Sequence, residues 1–193
     1  MAKSVYTIGL FIFGMVMSVF LVTTIFFRDV HYFRNSITLS AFLLPFIFAL
    51  GAYFSVSAYR RFKRRLSFKE AYGRAFIPMF IGGLLSFSSI FVYITYLDPS
   101  AKDLLNHQYI ESFRASLEEE YTKAKQILKP GSEEMKELET KYAEGKVRIK
   151  EKENRKEDMF SAKYFAYVFA GYCAYYLLLS LFFGSFFRTR SIE

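Results

Sequence analysis

The sequence predicts an all-α, polytopic membrane protein with four transmembrane helices and an extramembrane helical hairpin between spans three and four. Three observations predict it. The 193 residues are 53% hydrophobic and 20% aromatic, with 24 Phe and 15 Tyr, more apolar surface than a soluble domain of this length needs. Four long runs carry no charge: Ser4 to Phe27, Asn35 to Tyr59, Ala75 to Leu97 and Tyr164 to Phe187. Each exceeds the about 20 apolar residues that cross a hydrocarbon core of roughly 30 Å. The segment between the last two runs is polar and repeats its apolar residues at helical spacing. Four buried core helices in so short a soluble chain would lack the polar surface to cover them, so insertion is expected.

The expected organisation is therefore residues 1–97 with spans one to three (4–27, 35–59, 75–97) and a basic loop at 60–74, a hairpin at 98–163, and residues 164–193 with the fourth span (164–187) and a short tail. Lys3 before the first run invites a signal-peptide reading. The run is longer than a signal core of roughly 7 to 15 residues, and "TTIFFRD" has no small-x-small cleavage pattern, so an uncleaved anchor is expected.

Between spans two and three, "AYRRFKRRLSFKEAYGR" places Arg60, Arg61, Lys63, Arg64 and Arg65 within six residues, followed by Lys69 and Arg74. With Lys3, Arg188 and Arg190 they put ten basic residues on one face, against Arg28 and Arg34 in the opposite short loop. Lys and Arg are retained in the cytoplasm, so both termini are expected there and residues 98–163 outside, in the periplasm of a bacterial inner-membrane protein. The outer segment has 14 basic and 15 acidic residues, so the formal +8 of the chain belongs to the membrane part. The basic run is first a topological lock. An accompanying grip on the anionic headgroups of the bilayer is expected, because clustered cations gain roughly 1 kcal/mol each near an anionic surface. A nucleic-acid partner is not expected, since no basic fold or aromatic stacking platform supports one.

Ser67 and Glu70 then have the S-x-x-E spacing of a capping box, which opens the third helix. Span packing is expected at small residues four apart, namely Gly51 and Ser55, Gly82 and Ser86, and Ala166, Ala170 and Ala174. Pro45 and Pro78 predict local bends. No Asp, Glu, Lys, Arg or His interrupts the four runs, which disfavours an ion-coupled pump.

At the exit of span three, "YLDPSAKDLL" offers Asp98 before Pro99 and Ser100 with Asp103, a helix start with these residues as caps. From Ala101 to Leu128 the apolar positions Ile110, Phe113, Leu117, Tyr121, Ala124 and Leu128 form a helical seam. After "KPGS", Met135, Leu138 and Tyr142 resume it, so two helices joined by a Pro-Gly turn are expected. Ile110, Phe113, Leu117, Tyr121 and Tyr142 are the candidate partner surface. In span four, Tyr164 and Tyr167 suit interfacial anchoring, while Tyr172, Tyr175 and Tyr176 lie deeper and need hydrogen-bond partners.

No catalytic residue, cofactor or metal site is expected. Cys173 is a lone small packing residue, His31 and His107 are isolated, Asp98 has no second acid fixed near it, and no nucleotide loop, nucleophile motif or zinc helix is present.

At "LSFKEAYGRAFI" and "YITYLDPS" the chain resembles a bacterial four-helix inner-membrane family catalogued as a domain of unknown function. In that family a similar "SFKEA" opens the third span, an Asp-Pro closes it, and a polar insertion precedes the fourth. The resemblance implies the four-span architecture and supplies no activity or site residues. The function expected from the sequence is a non-enzymatic accessory or scaffold subunit of an inner-membrane assembly, in protein export or envelope biogenesis, with other inner-membrane proteins or further copies of itself as partners. The competing expectation is a small-molecule or lipid transporter with a path lined by tyrosines and serines; a membrane enzyme comes third.

Overall fold

A computed structural model of the chain describes residues 4–156 and 158–189. Lys3 and Arg190, both counted above towards orientation, lie outside the described residues. Among the described residues the chain forms α1 (Val5–Phe26), α2 (Tyr32–Lys63), α3 (Phe68–Val92), which continues into a π-helical turn at Tyr93–Leu97, α4 (Pro99–Ile127), α5 (Glu133–Asn154) and α6 (Ala162–Phe187). α1, α2, α3 with its π turn, and α6 are each long and apolar enough to cross a membrane, so the chain is a multi-pass membrane protein by length and composition.

The helices overrun the uncharged runs. α2 starts at Tyr32 and keeps its hydrogen bonds through Lys63, and α3 starts at Phe68 rather than Ala75. Residues 60–74 are thus mostly the end of one helix and the start of the next, and only Arg64 to Ser67 form a loop. The reason is that charge stops a hydrocarbon span but not a helix, and Arg and Lys are good helix formers.

The chain divides into two compact units, one of residues 1–98 with 160–193 and one of Pro99–Met159. In the first, α3 packs against α1, α2 and α6. Two adjacent glycines make this possible by serving different neighbours. A Cβ at Gly82 would stand 2.7 Å from Ile12 Cγ2 and 2.9 Å from the Gly9 carbonyl of α1, while one at Gly83 would strike the Tyr176 hydroxyl of α6. Ile12 is 1% exposed, and a Cβ at Gly51 of α2 would strike it too, so this side chain fills a hole between three helices. Phe48, Ala52, Val56, Ala71, Ala75, Met79 and Tyr176 complete the core. Large apolar side chains such as Phe11, Phe42, Phe46, Leu178 and Phe182 point outwards, the arrangement lipid contact requires.

In the second unit α4 and α5 run antiparallel, joined by a tight turn. Ser132 N–H donates to the Lys129 carbonyl across Pro130 and Gly131, and Gly131 takes φ +80°, the left-handed position that a turn of this kind reserves for glycine. The Ser132 hydroxyl then accepts from Met135 N–H and caps α5.

Candidate functional site

The end of α2 builds the most distinctive surface of the first unit. A helix leaves its last carbonyls without intrahelical partners, and Arg60, Arg61 and Lys63 fall in that final turn, where cations complement the carbonyl dipoles. Arg64 closes the helix at φ 59° and donates its N–H to the Arg60 carbonyl at 2.9 Å. From there a cleft of about 490 Å³ runs between α2 and α6. Arg60, Arg61 and Arg64 form its rim, and Tyr53, Ser57, Phe186 and Phe187 line it towards the apolar part of the helices. The Arg60 guanidinium lies 5.6 Å from the Phe187 ring centre, and Tyr53 packs on the same ring at 5.9 Å.

The five clustered cations therefore separate by role. Lys63 pairs with Glu70, whose other carboxylate oxygen accepts from Ser67 N–H at 3.1 Å while Ser67 Oγ accepts from Glu70 N–H, closing the capping box of α3. Arg60, Arg61 and Arg64 have no ion-pair partner among the described residues, and Arg65 stands outside the cleft lining. The α2–α3 loop is also tied to the segment after α6. Leu66 N–H donates to Thr189 Oγ1 at 2.9 Å, and Thr189 N–H donates to the Leu66 carbonyl at 2.8 Å. These two bonds fix the tail of α6 beside the basic rim. The aromatic lining and the clasp escaped sequence reasoning, and only the sequence position of Phe187 next to Arg188 hinted at an interfacial aromatic.

At the opposite end of the bundle, Asp98 receives two hydrogen bonds from Arg28, at 2.7 and 3.1 Å. Tyr32 is buried beside it and shares a 3.1 Å hydrogen bond with Thr24, while Phe20 meets Tyr93 edge-on. The helix starts where expected: α4 begins at Pro99, which supplies the fixed φ of a first helical residue, and Asp98 stands immediately before it. The correction concerns Ser100 and Asp103, which lie inside the first turns of α4 and not at its cap position. The Asp98 carboxylate is engaged by Arg28.

Two of the three deeper tyrosines find backbone partners. Pro45 stands inside α2 and removes one helix hydrogen bond. Next to it, Tyr175 donates to the Pro45 carbonyl at 3.0 Å and Tyr172 to the Ser40 carbonyl at 3.2 Å, so α6 is fastened to the weakened turn. Ser86 bonds back to the Gly82 carbonyl at 2.7 Å, whereas the hydroxyls of Ser55, Tyr176 and Ser180 are buried with no hydrogen-bond partner among the described residues. Gly51, Ser55, Gly82 and Ser86 all lie at buried positions, but Ala166, Ala170 and Ala174 are exposed on α6 and do not pack within the bundle. Tyr172, Tyr176 and Phe183 occupy the inward face of that helix instead.

The hairpin seam also requires correction as a partner surface. Tyr121 stacks on Tyr142 at 4.1 Å and 15°, Tyr142 donates to Glu118 at 2.9 Å, and Leu117 lies against Gly145. Ile110 is half-buried along the same helix, while Phe113 stays exposed beside Tyr109. The apolar period marks the face α4 turns to α5, so most of the seam is covered by its own hairpin. Lys102 pairs with Asp158 at 2.6 Å, Asn106 bonds both Asp158 and Met159 N–H, and Arg114 bridges Glu111 and Glu153. Hydrogen bonds from Lys123 and Lys141 hold Glu119 and Glu137 below the usual carboxylate range, and raise the two lysines in return.

Among the described residues no group of three His, Cys, Asp or Glu side chains could hold a metal ion. No curated protein and no solved structure matches the chain. Its four-span layout, with "SFKEA" capping α3 and Asp98 closing the π turn, falls within a family match over residues 7–189, and the chain belongs to the family described as "Protein of unknown function (DUF4199)".

Proposed function

We propose that the chain is a non-enzymatic accessory or scaffold subunit of a bacterial inner-membrane assembly, acting in protein export or envelope biogenesis. Both termini lie in the cytoplasm and residues 98–163 in the periplasm, a reading supported by the basic residues gathered at the α2–α3 loop and beyond α6. Its partners are other inner-membrane proteins or further copies of the chain.

The observation that carries this reading is the hairpin's construction. α4 has 29 residues, about 44 Å at 1.5 Å per residue, and α5 with the segment that follows it is knitted to α4 from Lys102–Asp158 through Arg114–Glu153 to the Tyr121–Tyr142 stack. Such cross-helix contacts along the pair favour a stiff arm over a slack linker, and a stiff arm presents the same outer face to every partner. Ile127 and Val147 are exposed on it. The transporter reading has less support, because Tyr172 and Tyr175 give their hydroxyls to α2 carbonyls rather than to a path between the spans.

A mild-detergent pull-down of the tagged full chain, compared with a Lys102–Asp158 deletion, tests the proposal. Stoichiometric membrane proteins that co-purify with the full chain and are lost with the hairpin are expected. Partners retained by the deletion would move the interface to the spans, and a lone chain holding a specific solute would replace the scaffold by a transporter.

A further inference from the structure

The cleft between the ends of α2 and α6 joins two kinds of surface that a single ligand must satisfy together. Its rim carries three guanidiniums without an ion-pair partner among the described residues, although neighbouring Lys63 is neutralised by Glu70. Its wall is aromatic, with Phe186 66% exposed and Phe187 held beneath Arg60. Ser57 adds a hydroxyl donor between the two. α2 has 32 residues, well beyond the about 20 that cross hydrocarbon, so a helix end of this kind reaches the headgroup layer.

We propose that this cleft is a binding site for one anionic phospholipid, with Arg60, Arg61 and Arg64 on the phosphodiester and Phe186 and Phe187 against the start of its acyl chains. Guanidinium forks match phosphate oxygens two at a time, which a lysine rim would not do. A soluble anion would satisfy the arginines and leave the Phe186 ring uncovered, whereas a neutral apolar molecule would leave the arginines without a counter-charge. A phospholipid covers both. Three cations at the rim also repel the ammonium of a zwitterionic headgroup, so the site selects lipids of net negative charge. This site goes beyond the scaffold reading and does not depend on which partner the hairpin meets.

The chain contains no Trp, so Phe186→Trp installs a single fluorescent reporter at the cleft of the full-length protein. In phosphatidylcholine nanodiscs, brominated phosphatidylglycerol is expected to quench F186W at least about threefold more than brominated phosphatidylcholine at equal mole fraction. The R60Q/R64Q pair is expected to remove that preference. The R65Q/K69Q pair removes the same charge outside the cleft and is expected to keep it. Equal quenching by both lipids, or equal loss in both pairs, would overturn the site in favour of diffuse surface attraction. Inorganic phosphate at matched ionic strength is expected to change nothing, and abolition of the preference by phosphate would mean that a free anion, not a lipid, occupies the rim. Native mass spectrometry of the chain without the reporter gives a second reading. Phosphatidylglycerol retained by the parent and lost only from R60Q/R64Q supports the site, and retention by both pairs rejects it.

Discussion

Arg28 and Asp98 meet as a two-point ion pair, Nη1 to Oδ2 at 2.7 Å and Nη2 to Oδ1 at 3.1 Å, linking the α1–α2 loop to the end of the π turn that follows α3. The pair gives the Asp of "YLDPS" a physical task. Both side chains are more than half buried, at 34% and 16% exposed, so the contact lies between a screened surface bridge and a desolvated one. A double-mutant cycle with Arg28→Gln and Asp98→Asn, read by thermal unfolding in detergent, is expected to give a coupling of about 1–2 kcal/mol. Additive single effects would mean that the pair contributes nothing beyond its separate residues.

The Tyr176 hydroxyl is buried against Gly83 with no hydrogen-bond partner among the described residues, so it carries a desolvation cost and occupies space that no β-carbon could share. Tyr176→Phe is expected to be neutral or to stabilise the bundle by up to about 1 kcal/mol, since a buried hydroxyl without a partner costs roughly 1–3 kcal/mol. Gly83→Ala is expected to destabilise the parent and to be better tolerated in the Y176F background. Unfolding midpoints for the three variants decide it, and a marked destabilisation by Y176F alone would reveal that the hydroxyl has a favourable contact.

The spans were legible because charge is excluded from hydrocarbon, which makes Ser4 to Phe27 and its three counterparts stand out in a bare sequence. Their ends were not, since Arg60 to Lys63 continue the hydrogen-bond ladder of α2 after the hydrophobic run has stopped. Small-residue spacing marks a face without naming its neighbour. Gly51 and Gly82 close on Ile12, while the equally regular Ala166, Ala170 and Ala174 stay exposed. The hairpin seam has the same ambiguity, because periodicity shows which side of α4 is apolar and not that Tyr142 of α5 covers Tyr121. The arginine half of the cleft was visible as a run of charge. The aromatic half draws Phe186 and Phe187 from α6, and no local pattern records that Phe187 comes to rest beside Arg60.

The clasp between Leu66 and Thr189 uses one side-chain and one backbone acceptor, and only the first can be removed by substitution. Thr189→Val keeps the shape and deprives the buried Leu66 of the acceptor for its N–H. A loss of about 1 kcal/mol is expected, with faster proteolysis after α6, while Thr189→Ser retains the hydroxyl and should behave as the parent. Unchanged protease sensitivity in T189V would mean that the carbonyl bond from Thr189 N–H holds the tail without help.

Acid should weaken the helices of the hairpin. Glu119 and Glu137 are held below their ordinary range by Lys123 and Lys141, one turn further along α4 and α5 respectively, so the folded hairpin binds protons less readily than the unfolded chain. Their contribution is therefore present above the ordinary glutamate range and fades as pH falls through the lowered folded values. The raised lysines work in the other direction, with a contribution present at neutral pH and lost only as pH rises through their folded values. Circular dichroism of the full chain, followed from about pH 7 to about pH 3, is expected to report a loss of helical signal at the acid end, because each pair spans one turn of its own helix. The E119Q/E137Q pair should lessen that dependence, because glutamine has no proton to gain. A helical signal that is as pH-sensitive with both glutamates replaced would assign the acid response to groups other than these two glutamates.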